Sequence, residues 1–87
     1  MSTADLIHQR LAALEPETFT LEDESAQHKG HAGAASGGGH FRLTVVSPKF
    51  RNLSTLARHR LVYEAMGELM HREIHALSIT ALTPEEL

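Results

Sequence analysis

The sequence predicts a small α+β domain in which helices cover one face of a three-stranded mixed sheet. Its 87 residues allow one hydrophobic core, so we expect a single domain over residues 1–87. Apolar residues repeat at helical spacing in two segments and alternate in three, in the order helix, strand, strand, helix, strand. Two successive strands pair as an antiparallel hairpin, whereas a helical crossover lets the third strand lie parallel to the second. The simplest architecture that buries the apolar faces of these elements is a mixed sheet with the helices packed on one face.

The first helix is predicted to begin at Ser2 or Thr3, either of which can cap it, with Asp5 in its first turn. Pro16 ends the helix. Its apolar stripe is formed by Leu6, Ile7, Leu11 and Leu14. Residues 18–22 then alternate between polar and apolar side chains, which predicts a short, half-buried strand.

The segment 25–40 is rich in glycine and contains His28 and His31, with His40 at its end. It cannot form regular structure, and loops of this length are usually functional or disordered. Two interpretations stay open, a flexible hairpin loop and a loop that folds onto a metal ion through neutral imidazoles.

The second strand carries Phe41, Leu43 and Val45 on one face and ends at Ser47-Pro48. A turn follows, in which Asn52 is a residue type that tolerates the left-handed region.

Ser54 is a good cap for a helical pattern that extends to His71, as one helix or as two joined by a bend. Gly67 weakens this helix and is expected to allow close packing against the sheet. The third strand, His75–Leu82, has apolar residues on both faces, so we expect both faces to be covered. His71 and His75 would form a metal pair on one helix, but the pattern ends the helix between them.

The composition argues against several classes of function. The chain has seven histidines and no cysteine. The lack of cysteine excludes disulfides, thiolate nucleophiles and cysteine-based metal sites made by this chain alone. The N-terminus shows no signal-peptide pattern and no apolar run is long enough to span a bilayer, so we expect a cytoplasmic protein without a membrane partner. No serine lies in a nucleophile elbow, and Asp23 and Glu24 should point to opposite faces of the strand, so we expect no enzyme.

Charge is unevenly distributed along the chain. Residues 25–62 contain six basic side chains and no acidic one, and both flanking segments are acidic. The basic side chains around the start of the second helix are candidates for nucleic-acid binding: Lys49, Arg51, Arg58 and Arg60. A net charge of −3, few aromatic residues and no Gly-x-x-Gly clamp favour a solvated face or a surface for an acidic protein partner.

Several strings, taken together, resemble the BolA family. They are DES followed by His28, then HF at 40–41, VVS at 45–47, ARHRLVY at 57–63, IHALSI at 74–79 and TPEE at 83–86. The resemblance implies a KH-like (class II) α-β-β-α-α-β domain, with the long helical segment split in two. Asn52 stands where the family commonly has glycine.

The resemblance also implies a function. The BolA-like resemblance implies an adaptor that binds a monothiol glutaredoxin and shares a [2Fe–2S] cluster with it. Such an adaptor would act in iron homeostasis or transcription regulation. The glutaredoxin and glutathione would each supply a thiol, and this chain would supply His75 and a loop residue. His28 is the best match for the loop ligand and His31 is the alternative, whereas His40 and His59 match family strings to which no ligand role carries over. No cofactor is expected in the isolated protein.

Overall fold

The computed structural model describes residues 1–25 and 39–87. The regular elements are α1 (Thr3–Leu11), β1 (Thr18–Asp23), β2 (Gly39–Val46), α2 (Thr55–Met66) and β3 (Ile74–Leu82). Short 3₁₀ turns follow the helices and two of the strands: Ala12–Leu14, Pro48–Phe50, Gly67–His71 and Pro84–Glu86. The order of the elements confirms the predicted α+β class.

Strand β2 lies at the centre of a three-stranded sheet. It pairs antiparallel with β1, from Thr18 opposite Val46, and parallel with β3, so the predicted mixed sheet is confirmed. The expectation that β3 is covered on both faces is wrong. This strand lies at the edge of the sheet, and its outward side chains Ser78 and Thr80 are exposed, because both helices pack on the other face.

The core lies between the two helices and one face of the sheet. Alternate residues of β2 contribute its inner layer, and both helices cover that layer with apolar side chains. The fully buried side chains include Ile7, Leu11, Leu43, Val45, Phe50, Val62 and Met66. The outer face of the sheet carries exposed polar side chains such as Thr20, Arg42 and Ser78, which is typical of a sheet covered on one side, and Val46 at the end of β2 is buried.

Both helix starts follow the predicted caps. The Ser2 hydroxyl accepts the Asp5 N–H, and the Asp5 carboxylate accepts the Ser2 N–H, which completes a capping box. The Ser54 hydroxyl accepts the Ala57 N–H at the start of α2. Before that helix, Asn52 adopts φ +64°, so asparagine takes the left-handed position that a glycine would otherwise fill.

Gly67 ends α2 with φ +57° and begins the following 3₁₀ turn, so the long helical segment is split. The expectation that Gly67 packs against the sheet is wrong. A Cβ at this position would lie 3.0 Å from Nη1 of Arg10, so the close approach is to α1.

Candidate metal centre

His75 lies one residue into β3, where the pairing with β2 shifts. Gly39 is opposite Ile74, and His40 is opposite Ala76, so His75 has no register partner of its own. An extra residue of this kind, as in a β-bulge, bends its strand and changes the direction of a side chain. The side chain of His75 is exposed at this irregularity.

The shift brings His75 next to a second histidine. The ring centroids of His40 and His75 lie 4.9 Å apart, and the ring planes are inclined by 38°. His40 is half-buried on the central strand. The sequence assigned no ligand role to His40, yet the structure pairs it with the predicted ligand. The available signal was topological, because the amino ends of two parallel strands meet at the same edge of a sheet.

Backbone and side-chain hydrogen bonds fix the position of His40. Its N–H donates to the Ser25 hydroxyl at 3.0 Å, and its carbonyl accepts the Glu24 N–H at 2.7 Å. The Gly39 N–H donates to the Glu73 carbonyl at 2.9 Å, immediately before β3. The start of β2 is therefore tied to the end of β1 and to the residue before β3.

Gly39 has a steric role as well. A Cβ on Gly39 would overlap the ring of Phe41, which is itself buried in the core. The predicted loop 25–40 thus extended too far, because Gly39 and His40 belong to β2. One glycine of the glycine-rich segment is explained by this packing.

The two neighbouring carboxylates have separate partners. Asp23 accepts the Ser25 N–H at 2.9 Å, and hydrogen bonds from the Ser25 side chain and backbone hold the pKa of Asp23 below its usual range. Glu24 forms an ion pair with Arg42 at 3.4 Å. Asp23 and Glu24 therefore contact different partners at the end of β1.

Of the other histidines, the structure describes His8, His59 and His71. His28 and His31, the predicted loop ligands, lie outside the described residues. The rings of His8 and Phe19 form a T-shaped contact. His71 ends the 3₁₀ turn before β3, so His71 and His75 do not share a helix. Within 1–25 and 39–87, no group of three or more His, Cys, Asp or Glu side chains could hold a metal ion.

The donor set fits half of a metal centre. Two adjacent imidazoles can bind one transition-metal ion, but a four-coordinate site needs further ligands. Because the chain has no cysteine, any thiolate ligand must come from another molecule. The pair His40 and His75 is thus compatible with a centre that is completed from outside the described parts of the chain.

The candidate nucleic-acid residues lie at the other end of the sheet, and most of them have acidic partners. Arg51 forms a bidentate contact with Glu85, with Nε 2.8 Å from Oε1. Arg58 lies 2.6 Å from Glu86, while Lys49 lies 3.3 Å from Glu15. The remaining candidate, Arg60, is exposed and forms no ion pair with a residue of the described ranges. Acidic residues from the flanking segments therefore neutralise much of the basic stretch.

These features define a class: an α+β domain whose sheet presents paired histidines at one end. Comparison with known proteins identifies the family. A family model described as BolA-like protein matches residues 11–86, so the chain belongs to the BolA-like protein family. The BolA domain of SufE1 from Arabidopsis thaliana superposes with a TM-score of 0.86 at 39% identity, covering 100% of this chain and 98% of that one.

Three curated relatives show the range of the family. BolA-like protein 1 of Mus musculus is 47% identical over 85% of this chain and 52% of its own length. SufE-like protein 1, chloroplastic/mitochondrial, of Arabidopsis thaliana is 40% identical over 85% of this chain and 21% of its own length. The DNA-binding transcriptional regulator BolA of Haemophilus influenzae is 33% identical over 99% of this chain and 82% of its own length. The chain therefore spans about half, or less, of the first two proteins.

One of these relatives is named for chloroplasts and mitochondria. No helix in the described part of the chain is long and apolar enough to cross a membrane. The cytoplasmic location stays a prediction.

Proposed function

We propose that this protein is an adaptor that binds a monothiol glutaredoxin and shares a glutathione-assisted [2Fe–2S] cluster with it. The role would be in iron–sulfur cluster trafficking or in iron and redox regulation. The observation that carries the proposal is the exposed imidazole of His75, 4.9 Å from a second imidazole in a chain without cysteine. Membership of the BolA-like family supports it.

Ligand chemistry explains why a partner is needed. Most [2Fe–2S] clusters are held by four cysteine thiolates, which this chain does not have. A thiol from the glutaredoxin and one from glutathione would supply two ligands, and imidazoles of this chain would supply the others. A ligand set of two histidines and two thiolates raises the reduction potential relative to four thiolates, as in Rieske centres.

His75 is the first ligand in this proposal, and a loop histidine is the second. His28 follows Ser25 by three residues, and Ser25 is tied to His40 beside His75. His31 is the alternative. Neither loop histidine lies among the described residues, so this assignment depends on the family resemblance.

Anaerobic reconstitution tests the proposal. The protein is mixed with a monothiol glutaredoxin, glutathione, iron and sulfide, and the mixed complex is followed by visible circular dichroism. We expect His75→Ala to abolish the characteristic spectrum of the mixed complex. The control is His71→Ala, which replaces an exposed histidine four residues earlier and should leave the spectrum unchanged. Identical spectra for wild type and His75→Ala, or no mixed complex at all, would contradict the proposal. His28→Ala and His31→Ala, measured separately, identify the loop ligand.

A second candidate function is nucleic-acid binding by a transcription regulator. It is favoured by the name of the Haemophilus influenzae relative. Against it, Lys49, Arg51 and Arg58 each contact a carboxylate. Phosphate contacts make affinity fall steeply with salt, so duplex binding is measured at several salt concentrations. A steep slope that decreases in Arg60→Ala would support this function, and salt-independent or absent binding would oppose it.

A further inference from the structure

We propose that the outer edge of β3 is a self-association surface, on which a second copy of this chain pairs antiparallel about a twofold axis at Ser78. The pairing would join two three-stranded sheets into one sheet of six strands. Among the described residues, β3 has β2 on one side and no strand on the other. An open strand edge is a template for another strand, because its N–H and C=O groups have no partner. This surface goes beyond the proposed function and does not depend on it.

One hydrogen bond at the end of β3 shows which residues face the open edge. The Ser47 N–H donates to the Leu82 carbonyl at 2.9 Å, so Leu82 directs its backbone groups towards β2. Successive residues of a strand direct their backbone groups to opposite edges in alternation. Leu77, Ile79 and Ala81 therefore direct their N–H and C=O groups to the open edge.

The open part of this edge is limited at both ends. Nη1 of Arg58 donates to the Ala81 carbonyl at 3.0 Å, which occupies the edge near the end of the strand and agrees with the alternation. At the start of the strand, the pairing with β2 is irregular next to His75. The segment available for regular pairing is therefore Ala76–Thr80.

Charge distinguishes the two edges of the sheet. Edge strands commonly avoid unwanted pairing through charged side chains or proline. Strand β1, at the other edge, is short and ends in Glu22 and Asp23. Strand β3 is longer and contains no Asp, Glu, Lys, Arg or Pro. The edge of β3 is therefore the one that lacks these protecting residues.

The edge of β3 is self-complementary under a twofold axis, which is why a second copy fits it. Antiparallel pairing centred on Ser78 places Leu77 opposite Ile79 of the second copy, and each such pair can exchange two N–H···O=C hydrogen bonds. The Leu77 and Ile79 side chains are half-buried against the core, so the pairing would bury their remaining surface against each other. On the outer face Ser78 meets its own copy, and Ala76 meets Thr80, so no charges are opposed.

The neighbouring side of α2 adds apolar surface to this edge. Arg58, Leu61 and Ala65 lie three and four residues apart and so share one side of the helix. The contact of Arg58 with Ala81 places that side at the edge of β3. Leu61 and Ala65 are only half-buried, so strand pairing would bring apolar side chains of the two helices together. The interface is small, and we expect a weak dimer that forms at high protein concentration.

Cysteine cross-linking tests the pairing, since the chain has no cysteine of its own. At the axis, the two Ser78 Cα atoms would form a non-hydrogen-bonded pair about 4.5 Å apart, within the range of a disulfide. The two Thr80 Cα atoms would lie about 14 Å apart, which is too far. With diamide as the oxidant that takes up the two thiol hydrogens, Ser78→Cys should form covalent dimers at least about tenfold faster than the control Thr80→Cys. A mixture of Ala76→Cys and Thr80→Cys should form the mixed dimer.

Association without a cross-link is measured by sedimentation equilibrium at concentrations up to about 1 mM. Ser78→Lys places two like charges directly opposite each other and should weaken association about threefold to fivefold. The matched control Thr20→Lys, on the exposed face of β1, should associate as wild type does. Far-UV circular dichroism checks that each variant folds. Equal cross-linking rates for Ser78→Cys and Thr80→Cys, or a wild-type chain that stays monomeric throughout, would overturn the pairing.

Discussion

Arg58 was a candidate for nucleic-acid contact, but its surroundings predict a structural role. Its side chain is only 14% exposed. Its guanidinium donates to the Leu53 and Ala81 carbonyls, each at 3.0 Å, and to the Glu86 carboxylate. One side chain thus joins the turn before α2, the end of β3 and the C-terminal 3₁₀ turn. We predict that Arg58→Ala destabilises the domain strongly.

The magnitude follows from the groups that are lost. Two hydrogen bonds from a charged donor to backbone carbonyls contribute about 1–1.5 kcal/mol each, which is below the roughly 1.5–3 kcal/mol typical of charged groups because both bonds are only part-buried. The two buried methylenes beyond Cβ contribute about 0.8 kcal/mol each. The conformational entropy that a long side chain regains, about 1.5–2 kcal/mol, largely offsets the methylenes. The expected loss in the free energy of unfolding is therefore about 2–3 kcal/mol, before any contribution from Glu86.

Urea denaturation followed by circular dichroism measures this loss, which corresponds to a decrease in Tm of about 10–20 °C for a domain of this size. Arg60→Ala is the matched control. Arg60 lies on the same helix, is exposed and forms no ion pair within the described ranges, so its replacement should change stability by less than about 0.5 kcal/mol. If Arg58→Ala were as stable as Arg60→Ala, the structural role would be refuted. For nucleic-acid binding, Arg60→Ala is the better probe because it leaves the fold intact.

Three further predictions concern stability. Ser47→Ala should lower the free energy of unfolding by about 1–3 kcal/mol, because the buried Ser47 hydroxyl donates to the Leu14 carbonyl. Its control, Ser78→Ala on the exposed face of the sheet, should change the urea midpoint little. Asn52→Val should lower the free energy of unfolding by about 1–2 kcal/mol in the same assay, because Asn52 has a left-handed φ of +64° that valine disfavours. Asn52→Gly should leave stability unchanged or raise it. An arginine side chain and the Thr83 backbone N–H lower the pKa of Glu86 from 4.5 to about 2. Since this folded-state pKa is depressed, its stabilisation is complete above about pH 4.5 and is lost as the pH falls to about 2. Urea midpoints between pH 7 and 2 should decrease less in Glu86→Gln than in wild type, and parallel curves would contradict this assignment.

The two candidate surfaces lie at opposite ends of β3. His75 is near its start, whereas Arg58 contacts Ala81 near its end, six residues further along. At about 3.3 Å per residue, the two positions are about 20 Å apart. Substitutions at one end should therefore act independently of the other, which makes each set of variants a control for the other function.

Local patterns in the sequence predicted the elements and their order. The caps at Ser2 and Ser54 and the turn at Asn52 were also predictable, because each depends on residues within three or four positions in the chain. The helix periodicity could not decide whether residues 54–71 form one helix or two, and the positive φ of Gly67 decides it.

Contacts between distant residues were not predictable from local patterns. The pairing of Arg51 with Glu85 spans 34 residues, so the basic stretch looked unopposed in the sequence. The approach of His40 to His75 depends on a one-residue register shift, and a shift of one residue changes which side chains share a face. The ligand role of His75 was therefore predicted from the family resemblance, whereas its proximity to His40 could be seen only from the pairing of the strands.

Direct detection of histidine ligation is the most stringent test of the shared cluster. This chain is labelled with ¹⁵N-histidine, assembled with an unlabelled monothiol glutaredoxin, glutathione, iron and sulfide, and reduced for pulsed electron paramagnetic resonance. We expect ¹⁵N hyperfine couplings from this chain in the wild-type complex, and loss of the complex or of a coupling in His75→Ala. A reduced cluster without ¹⁵N coupling, or with couplings unchanged in His75→Ala, would contradict it.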